Sequence, residues 1–383
     1  MNNIAGTKSG LSWAVNISVV LLVSLWLFPT VGLLVSSFRT TDQISGSGWW
    51  QSMFTQEQNS TLRAADPDDG AQQLVEDLFV IEGNLFEGQN PATISVWGTS
   101  SRAIDVYVPG ETADLGDGEA ITVQANGDYH QTSPIEMTGR GQRVFVTASA
   151  PPEFTLDNYK TILSGGVTEG GMSKAFFNTL TVTIPATIIP IVIAAFAAYA
   201  LAWMDFPGRA IMVAFVVGLL VVPLQLALIP LLRLHLGIGI GKGYLGVWLA
   251  HTGFGLPLAI YLLRNYMVGL PRDIIENAKV DGATDFQIFT KIILPLSFPA
   301  LASFAIFQFL WTWNDLLVAK VFLIDATGET TVMTNQIVEL LGTRGGNWEI
   351  LSTAAFVSIA VPLVVFFAMQ KYLVRGLLAG SVK

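Results

Sequence analysis

Six apolar runs, each long enough to cross a lipid bilayer, dominate this sequence. A spanning helix needs ~20 mostly apolar residues, and we predict such helices at residues 11–35, 175–203, 210–232, 243–266, 299–322 and 350–372. Only 13% of the residues are charged, against roughly 25% in a typical soluble domain. The first run is too long for a cleaved signal peptide and has no clear small-residue cleavage site, so we expect it to be retained.

Charge divides the chain into regions. Residues 40–170 hold 19 of the 29 acidic and 5 of the 20 basic residues, a net charge of −14, and the remainder carries +5. We predict an N-terminal segment with the first helix (1–39), an acidic insert (40–153), and a core (154–383) that includes a surface loop (268–297) and a C-terminal tail (371–383). Lys and Arg in the short loops favour cytoplasmic termini and an extracytoplasmic position for residues 40–170.

The insert has the pattern of a small antiparallel β domain. Gly, Asp and Asn separate short runs rich in β-branched and aromatic residues, at 78–81, 93–97, 104–108, 120–123 and 144–147. Such runs between turn residues are typical of strands. The predicted fold class is therefore an all-α membrane protein with six spanning helices and a mainly β insert after the first.

Several kinds of chemistry are not expected on this chain. It has no cysteine, and its three histidines lie far apart in sequence, so we expect no metal site. The sequence contains no Gly-x4-Gly-Lys-Ser/Thr motif, which the common phosphate-binding loop requires. A nucleic-acid partner would need a clustered basic face. We therefore predict no catalytic residue, no bound cofactor and no nucleic-acid partner.

Residues 270–294 form the most informative loop of the chain and predict a helix–turn–helix. Pro271 suits a first helical position, Gly282 suits the left-handed end of the first helix, and Thr284 with Gln287 predicts a capping box for the second. The proline of Leu294-Pro295 should close the unit. We expect four apolar side chains to face the helix bundle: Phe286, Phe289, Ile292 and Ile293. An ordinary amphipathic loop at the membrane surface would show the same pattern.

The same loop resembles the "EAA" loop of bacterial ABC importer permeases. That family pattern is Glu-Ala-Ala, three residues, Gly, nine residues, Ile, one residue, Leu-Pro, and Asn277 departs from it where the family has alanine. By this resemblance the loop docks the permease onto an ATPase subunit. The implied coupling residues are Glu276, Ala278, Asp281, Gly282, Ala283, Ile292, Leu294 and Pro295.

Further segments resemble the maltose-type sugar permeases within this family, and together the resemblance covers about residues 11–38 and 154–383. They are Phe176-Phe177-Asn178-Thr179, Phe206-Pro207-Gly208-Arg209, Trp311-Thr312-Trp313-Asn314-Asp315 and the C-terminal tail. In that type the tail reaches into the ATPase dimer, which implies contacts by Arg375, Gly376, Gly380 and Lys383. The large insert makes the chain most similar to the second permease subunit of α-glucoside importers.

The resemblance implies a type I permease in the bacterial inner membrane, forming half of a heterodimer with a sister permease. Two ATPase subunits would bind ATP and Mg and supply the energy. A periplasmic or lipid-anchored binding protein would deliver the sugar, an α-glucoside or another oligosaccharide.

Polar residues inside the predicted spans are candidates for the translocation pathway, because such residues tend to face a bundle interior or cavity. They are Gln225, Gln308, Trp311, Trp313, Asn314 and Asp315. An equally simple interpretation places the two tryptophans in an interfacial belt and uses the amides as bridges between helices. His251 is either a proton-relay group or a hydrogen-bonded packing residue.

Two other classes of function remain open at this point. An ion-coupled secondary transporter would need titratable groups in the membrane, and His251 and Asp315 are available. Alternatively, the chain could be a membrane anchor whose extracytoplasmic insert is the functional part.

Overall fold

The computed structural model describes residues 10–87, 92–164, 171–325, 327–343 and 346–379. They form two units, one of residues 1–158 with 347–353 and the other of residues 159–346 with 354–383. The first unit begins with helix α1 (Gly10–Ser36), followed by the short helix α2 (Thr41–Gly46) and a 3₁₀ turn at Trp49–Gln51.

The insert is a β domain of eight strands in two sheets. The strands are β1 (Gln56–Arg63), β2 (Gln72–Val75), β3 (Leu78–Asn84), β4 (Thr93–Gly98), β5 (Thr112–Gly116), β6 (Glu119–Val123), β7 (Asp128–Ser133) and β8 (Arg143–Ala150). One sheet has the order β1-β8-β4 and the other β2-β3-β7-β6-β5. All strand pairs are antiparallel, which confirms the predicted β domain.

Both sheets contribute to one hydrophobic core. Strand β8 buries Val144, Val146 and Ala148, because side chains two residues apart share one face of a strand. They pack with Ile81 and Trp97, among others, in this core. The hydrophobic alternation of the sequence therefore places these side chains on the face of the sheet that packs into the core.

The strand predictions are right for β3, β4, β6 and β8, and wrong for residues 104–108. In that stretch Tyr107 makes only an isolated bridge to Trp97. The four strands that were not predicted are more polar, and one of them, β2, is followed by an unusual turn. Glu76 and Asp77, with φ values of 49° and 69°, join β2 to β3 in the left-handed conformation that glycine or asparagine normally supplies.

The second unit is helical. Its helices are α3 (Asp157–Leu163), α4 (Gly171–Trp203), α5 (Arg209–Leu219), α6 (Leu224–Gly237), α7 (Tyr244–Val268), α8 (Arg272–Val280), α9 (Asp285–Ile288), α10 (Leu294–Leu296), α11 (Phe298–Trp313), α12 (Leu317–Phe322), α13 (Met333–Thr343) and α14 (Trp348–Ala379), the last belonging to this unit from residue 354. A π-helical turn, Phe289–Ile293, joins α9 to α10.

Four helical segments are each long and apolar enough to cross a membrane: Leu11–Ser36, Gly171–Trp203, Tyr244–Val268 and Trp348–Tyr372. Two bent pairs, Arg209–Leu219 with Leu224–Gly237 and Asp285–Leu296 with Phe298–Trp313, would bring the number to six if each pair is one span. With eight strands in the insert, the chain contains both α and β structure and is not all-α.

Two predicted spans are wrong as continuous helices. The third bends by 108° between α5 and α6, where Pro223 disfavours helical geometry in the residue before it. The fifth ends at Trp313, and the carboxylate of Asp315 accepts hydrogen bonds from the N–H groups of Val318 (2.9 Å) and Ala319 (3.2 Å) at the start of α12. A side chain that caps the next helix makes this break stable.

We predict that Trp97→Ala destabilises the insert by about 3–5 kcal/mol, the usual cost of deleting a large buried side chain. Trp97 is fully buried, and its indole N–H donates to the carbonyl of Val108 at 3.2 Å. The measurement is the urea dependence of proteolysis within residues 56–150, using the full chain in nanodiscs. Leu74→Ala, at a side chain that is 65% exposed, is the control. Equal urea midpoints for the two variants would contradict the proposed core.

Candidate functional site

The surface loop is built by a tight turn between α8 and α9. The N–H of Gly282 donates to the carbonyl of Lys279 at 3.1 Å, and the N–H of Ala283 donates to that of Ala278 at 3.0 Å. This pair of bonds is a Schellman motif, which needs a left-handed residue. Gly282 has a φ of 81°, as the sequence predicted, and it follows Asp281, the C-cap of α8.

The start of α9 confirms the predicted capping box. The Oγ1 atom of Thr284 accepts from the N–H of Gln287 at 3.3 Å, and the Oε1 atom of Gln287 accepts from the N–H of Thr284 at 2.9 Å. Pro271, by contrast, is the N-cap of α8 and not its first helical residue. The Schellman turn at Gly282 and the capping box at Thr284 therefore fix the backbone between α8 and α9.

One face of the loop packs on the ends of α4 and α7. Ile275, Ile288, Phe289 and Ile293 are buried in a core with the alanine-rich face of α4 and with Leu263 and Met267 of α7, among others. Small residues let membrane helices approach closely. The hydroxyl of Tyr199 on α4 also donates to a carboxylate oxygen of Asp285 at 3.3 Å. Movement of the loop must therefore displace these helix ends.

Phe286 is the exception, since its side chain is 66% exposed and does not face the bundle as predicted. Phe286 lies in α9, before the π-helical turn over residues 289–293. A π turn advances by about one extra residue, so Ile288 and Ile293, five positions apart, share the buried face. Ile292 is half-buried. Pro295 lies within the short helix α10, and the chain bends only at Ser297, slightly later than predicted.

The opposite face of the loop is open. Glu276, Asp281 and Gly282 are exposed, and so is Val280, at 86%. Ala278, Ala283 and Leu294 are half-buried against the core, and Pro295 is exposed. The predicted coupling residues thus divide into an exposed group and a group that supports it.

Two of the four predicted tail residues lie in the part of the chain that the structure describes. Arg375 and Gly376 belong to the helical backbone of α14, and Gly380 and Lys383 lie outside the described residues.

The predicted pathway residues do not converge on one cavity. Gln225 and Asn314 are exposed, on α6 and at the end of α11. Trp311 is 38% exposed and borders an otherwise apolar cavity of about 440 Å³ between α5, α6, α7 and α11. Gln308 and Trp313 are buried and serve a different purpose.

Both of these buried side chains compensate for prolines in neighbouring helices. Proline has no N–H, so it leaves the carbonyl four residues earlier without its helical partner. Pro190 frees the carbonyl of Ala186, to which Nε2 of Gln308 donates at 3.1 Å. Pro362 frees that of Ser358, to which Nε1 of Trp313 donates at 3.0 Å.

A third proline of the bundle is compensated in the same way. Pro185 in α4 frees the carbonyl of Thr181, and Nε1 of Trp248 on α7 donates to it at 2.9 Å. The sequence reasoning missed Trp248, although a proline inside an apolar run does signal a free carbonyl four positions before it. Three interhelical hydrogen bonds in the bundle thus have one common cause.

A group of polar atoms remains beside Gln308. Nε2 of His251 lies 3.8 Å from a carboxylate oxygen of Asp315. Within the described part of the chain, neither nitrogen of His251 makes a hydrogen bond, and Oε1 of Gln308 accepts none. The structure therefore brings together Gln308, Asp315 and His251, the last of which the sequence left between two roles.

Residues 175–378 match the family model described as the binding-protein-dependent transport system inner membrane component. The chain is 60% identical, over 98% of both chains, to the alpha-glucoside transport system permease protein AglG of Rhizobium meliloti. It is 58% identical to the osmoprotective compounds uptake permease protein GgtD of Synechocystis, over 60% of this chain and 76% of that protein. A solved bacterial ABC transporter for the import of the acidic polysaccharide alginate gives 22% identity and a TM-score of 0.47, covering 58% of this chain and 81% of that one.

We predict that Gln308→Met destabilises the helix bundle by about 1–3 kcal/mol, because the carbonyl of Ala186 is then buried without a donor. The variant Pro190→Ala restores an N–H four residues after Ala186. Adding it to Gln308→Met should recover most of the loss, which a double-mutant cycle of melting temperatures in detergent would measure.

The control for this cycle is Gln225→Met, at an exposed glutamine, combined with the same proline variant. Strictly additive effects for the Gln308 and Pro190 pair would refute the compensation between these residues.

Proposed function

The chain belongs to the family of inner-membrane components of binding-protein-dependent transport systems, and we propose that it is the permease subunit of an ATP-driven importer of α-glucosides. The observation that carries the proposal is the 60% identity to AglG over 98% of both chains. An identity of this extent includes the β insert as well as the helical core.

The surface loop is the proposed docking element for the ATPase subunit. Its exposed face carries Glu276, Asp281, Val280 and Phe286 around the turn at Gly282. An exposed pair of apolar side chains with charges around it has the composition of an interface. The buried face connects the same loop to α4, α7 and α11. ATP and Mg would bind to the partner subunits, because the phosphate-binding loop motif does not occur in this sequence.

A sister permease would complete the pathway, with six spans in a type I arrangement if each bent pair is one span. Gln225, Trp311 and Asn314 are the residues we propose to line it, because they are the exposed members of the predicted set. We propose cytoplasmic termini and an extracytoplasmic insert, which the charge of the short loops favours. The insert would then be on the side from which a binding protein delivers the sugar. Tail contacts by Arg375, Gly376, Gly380 and Lys383 belong to the same proposal.

The alternatives of an ion-coupled transporter or a membrane anchor gain no support from similarity. AglG is named as the permease protein of a transport system, and GgtD is named as an uptake permease protein.

We expect Gly282→Asp to abolish co-purification of the ATPase subunit with this chain and its sister permease. The substitution puts a charged side chain into the exposed turn. The wild-type complex should retain the ATPase, and its ATP hydrolysis should rise when the binding protein carries an α-glucoside but not when it carries no sugar.

Gly208→Asp is the matched control. Gly208 is also exposed and left-handed, with a φ of 86°, so backbone strain is the same in both variants. Loss of the ATPase from Gly282→Asp alone supports docking at this loop. A wild-type chain that retains no ATPase would refute the importer assignment. Stimulation of ATP hydrolysis by other sugars but not by α-glucosides would refute only the proposed substrate class.

We also expect Phe286→Ala to weaken ATPase binding at least about tenfold, or about 1.4 kcal/mol, since exposed aromatic side chains are frequent hot spots of interfaces. The measurement is titration of the reconstituted permease pair with ATPase. Phe215→Ala is the control, because Phe215 on α5 is 67% exposed against 66% for Phe286. Equal affinities for both variants would exclude Phe286 from the contact.

A further inference from the structure

A strip without charged residues follows the first helix. Residues 43–55, here called the 43–55 strip, contain no Asp, Glu, Lys or Arg, although residues 40–170 carry a net charge of −14. The strip holds Trp49, Trp50, Met53 and Phe54. Tryptophan is enriched at the boundary between membrane and water, where its ring meets both phases.

The strip packs on the side of α1. The rings of Trp49 and Phe28 have their centroids 4.6 Å apart, and a Cβ atom added to Gly32 would lie 2.7 Å from Nε1 of Trp49. Gly32 lies four residues before the end of α1, which places this contact ~6 Å along the axis from the helix end. The 27 residues of α1 span ~40 Å, which exceeds a hydrocarbon core of ~30 Å. When α1 spans a bilayer with its excess length shared between the two sides, the strip would lie near the headgroups.

Arg39 holds the other end of the strip. Its guanidinium is buried and donates to the carbonyl of Gln43 (2.5 Å), to the carbonyl of Ser47 (3.0 Å) and to the hydroxyl of Ser47 (2.6 Å). Helix α2 and the 3₁₀ turn satisfy further backbone groups of the strip. A segment with its backbone bonds made internally can enter a membrane interface at low cost.

Three apolar side chains of the strip are largely exposed. Trp50 is 60% exposed, Met53 72% and Phe54 67%. Several other exposed apolar residues of the β domain are next to an acidic residue in sequence: Val75 to Glu76, Val106 to Asp105 and Ile135 to Glu136. Acidic residues favour water over a lipid surface, so the strip is the part of this domain that suits lipid contact.

We propose that the 43–55 strip is a lipid-binding surface, with Trp50, Met53 and Phe54 inserted into the leaflet at the end of α1. It would fix the height of the β domain above the bilayer. The argument rests on the packing against α1 and on the missing charges, and it does not depend on which solute is transported.

Because the natural chain has no cysteine, single-cysteine spin labels test the proposal directly. Met53→Cys and Phe54→Cys are labelled in the full chain, which is reconstituted with its partner subunits in phosphatidylcholine vesicles. Ile135→Cys, at a residue that is 66% exposed, is the control. Electron paramagnetic resonance then compares collisions of each label with oxygen, which concentrates in lipid, and with a water-soluble nickel chelate.

A lipid surface predicts an oxygen-to-nickel collision ratio that is several-fold higher at positions 53 and 54 than at position 135. A ratio equal to that of the control would show that the strip is in water and would overturn the proposal. Protection of positions 53 and 54 from both agents would show that a protein subunit covers the strip, which would overturn it as well. Retained ATPase stimulation confirms that the labelled variants are folded.

Discussion

Every backbone polar group inside a membrane must find a partner within the protein, and in this bundle that requirement links three pairs of helices by hydrogen bonds. Pro185, Pro190 and Pro362 each free one carbonyl, and a side chain from another helix donates to each of them. The donors join α4 to α7, α4 to α11, and α11 to α14. Because an unpaired carbonyl in hydrocarbon costs several kcal/mol, these three contacts resist separation of the helices. Pro185, Pro190 and Pro362 therefore act here as connection points more than as points of weakness.

The connected helices are the ones that support the surface loop. Alanines of α4 and residues of α7 and α11 share one core with Ile275, Ile288 and Ile293 of the loop. A displacement of α8 is then passed to helices whose contacts with one another are fixed by hydrogen bonds. A packed core transmits strain because it contains few voids. The physical basis for coupling an external force to the bundle is thus a close-packed interface joined to a hydrogen-bonded frame.

Local signals of the sequence predicted local structure well. Gly282 and the pair Thr284 and Gln287 specify their own geometry, so the turn and the capping box followed from residue type alone. Features that depend on distant partners were not predictable in this way. The shared burial of Ile288 and Ile293 depends on a π turn, and the break before α12 depends on capping by Asp315. The turn at Glu76 and Asp77 contains neither glycine nor asparagine, and it is flanked by the paired residues Val75 and Leu78 of β2 and β3.

The candidate pathway residues show why residue type alone is a weak guide to function in a membrane. Gln308 and Trp313 have the composition of a sugar site, yet their N–H groups are committed to backbone carbonyls. The other polar atoms beside them make fewer hydrogen bonds. Oε1 of Gln308 and both nitrogens of His251 are without a hydrogen-bond partner in the described portion of the bundle, next to a carboxylate of Asp315 at 3.8 Å. Proteins leave such groups incompletely satisfied mainly at functional or strained sites. At the junction of α7, α11 and α12, a second arrangement of His251 and of Oε1 of Gln308 would break no hydrogen bond made by these atoms.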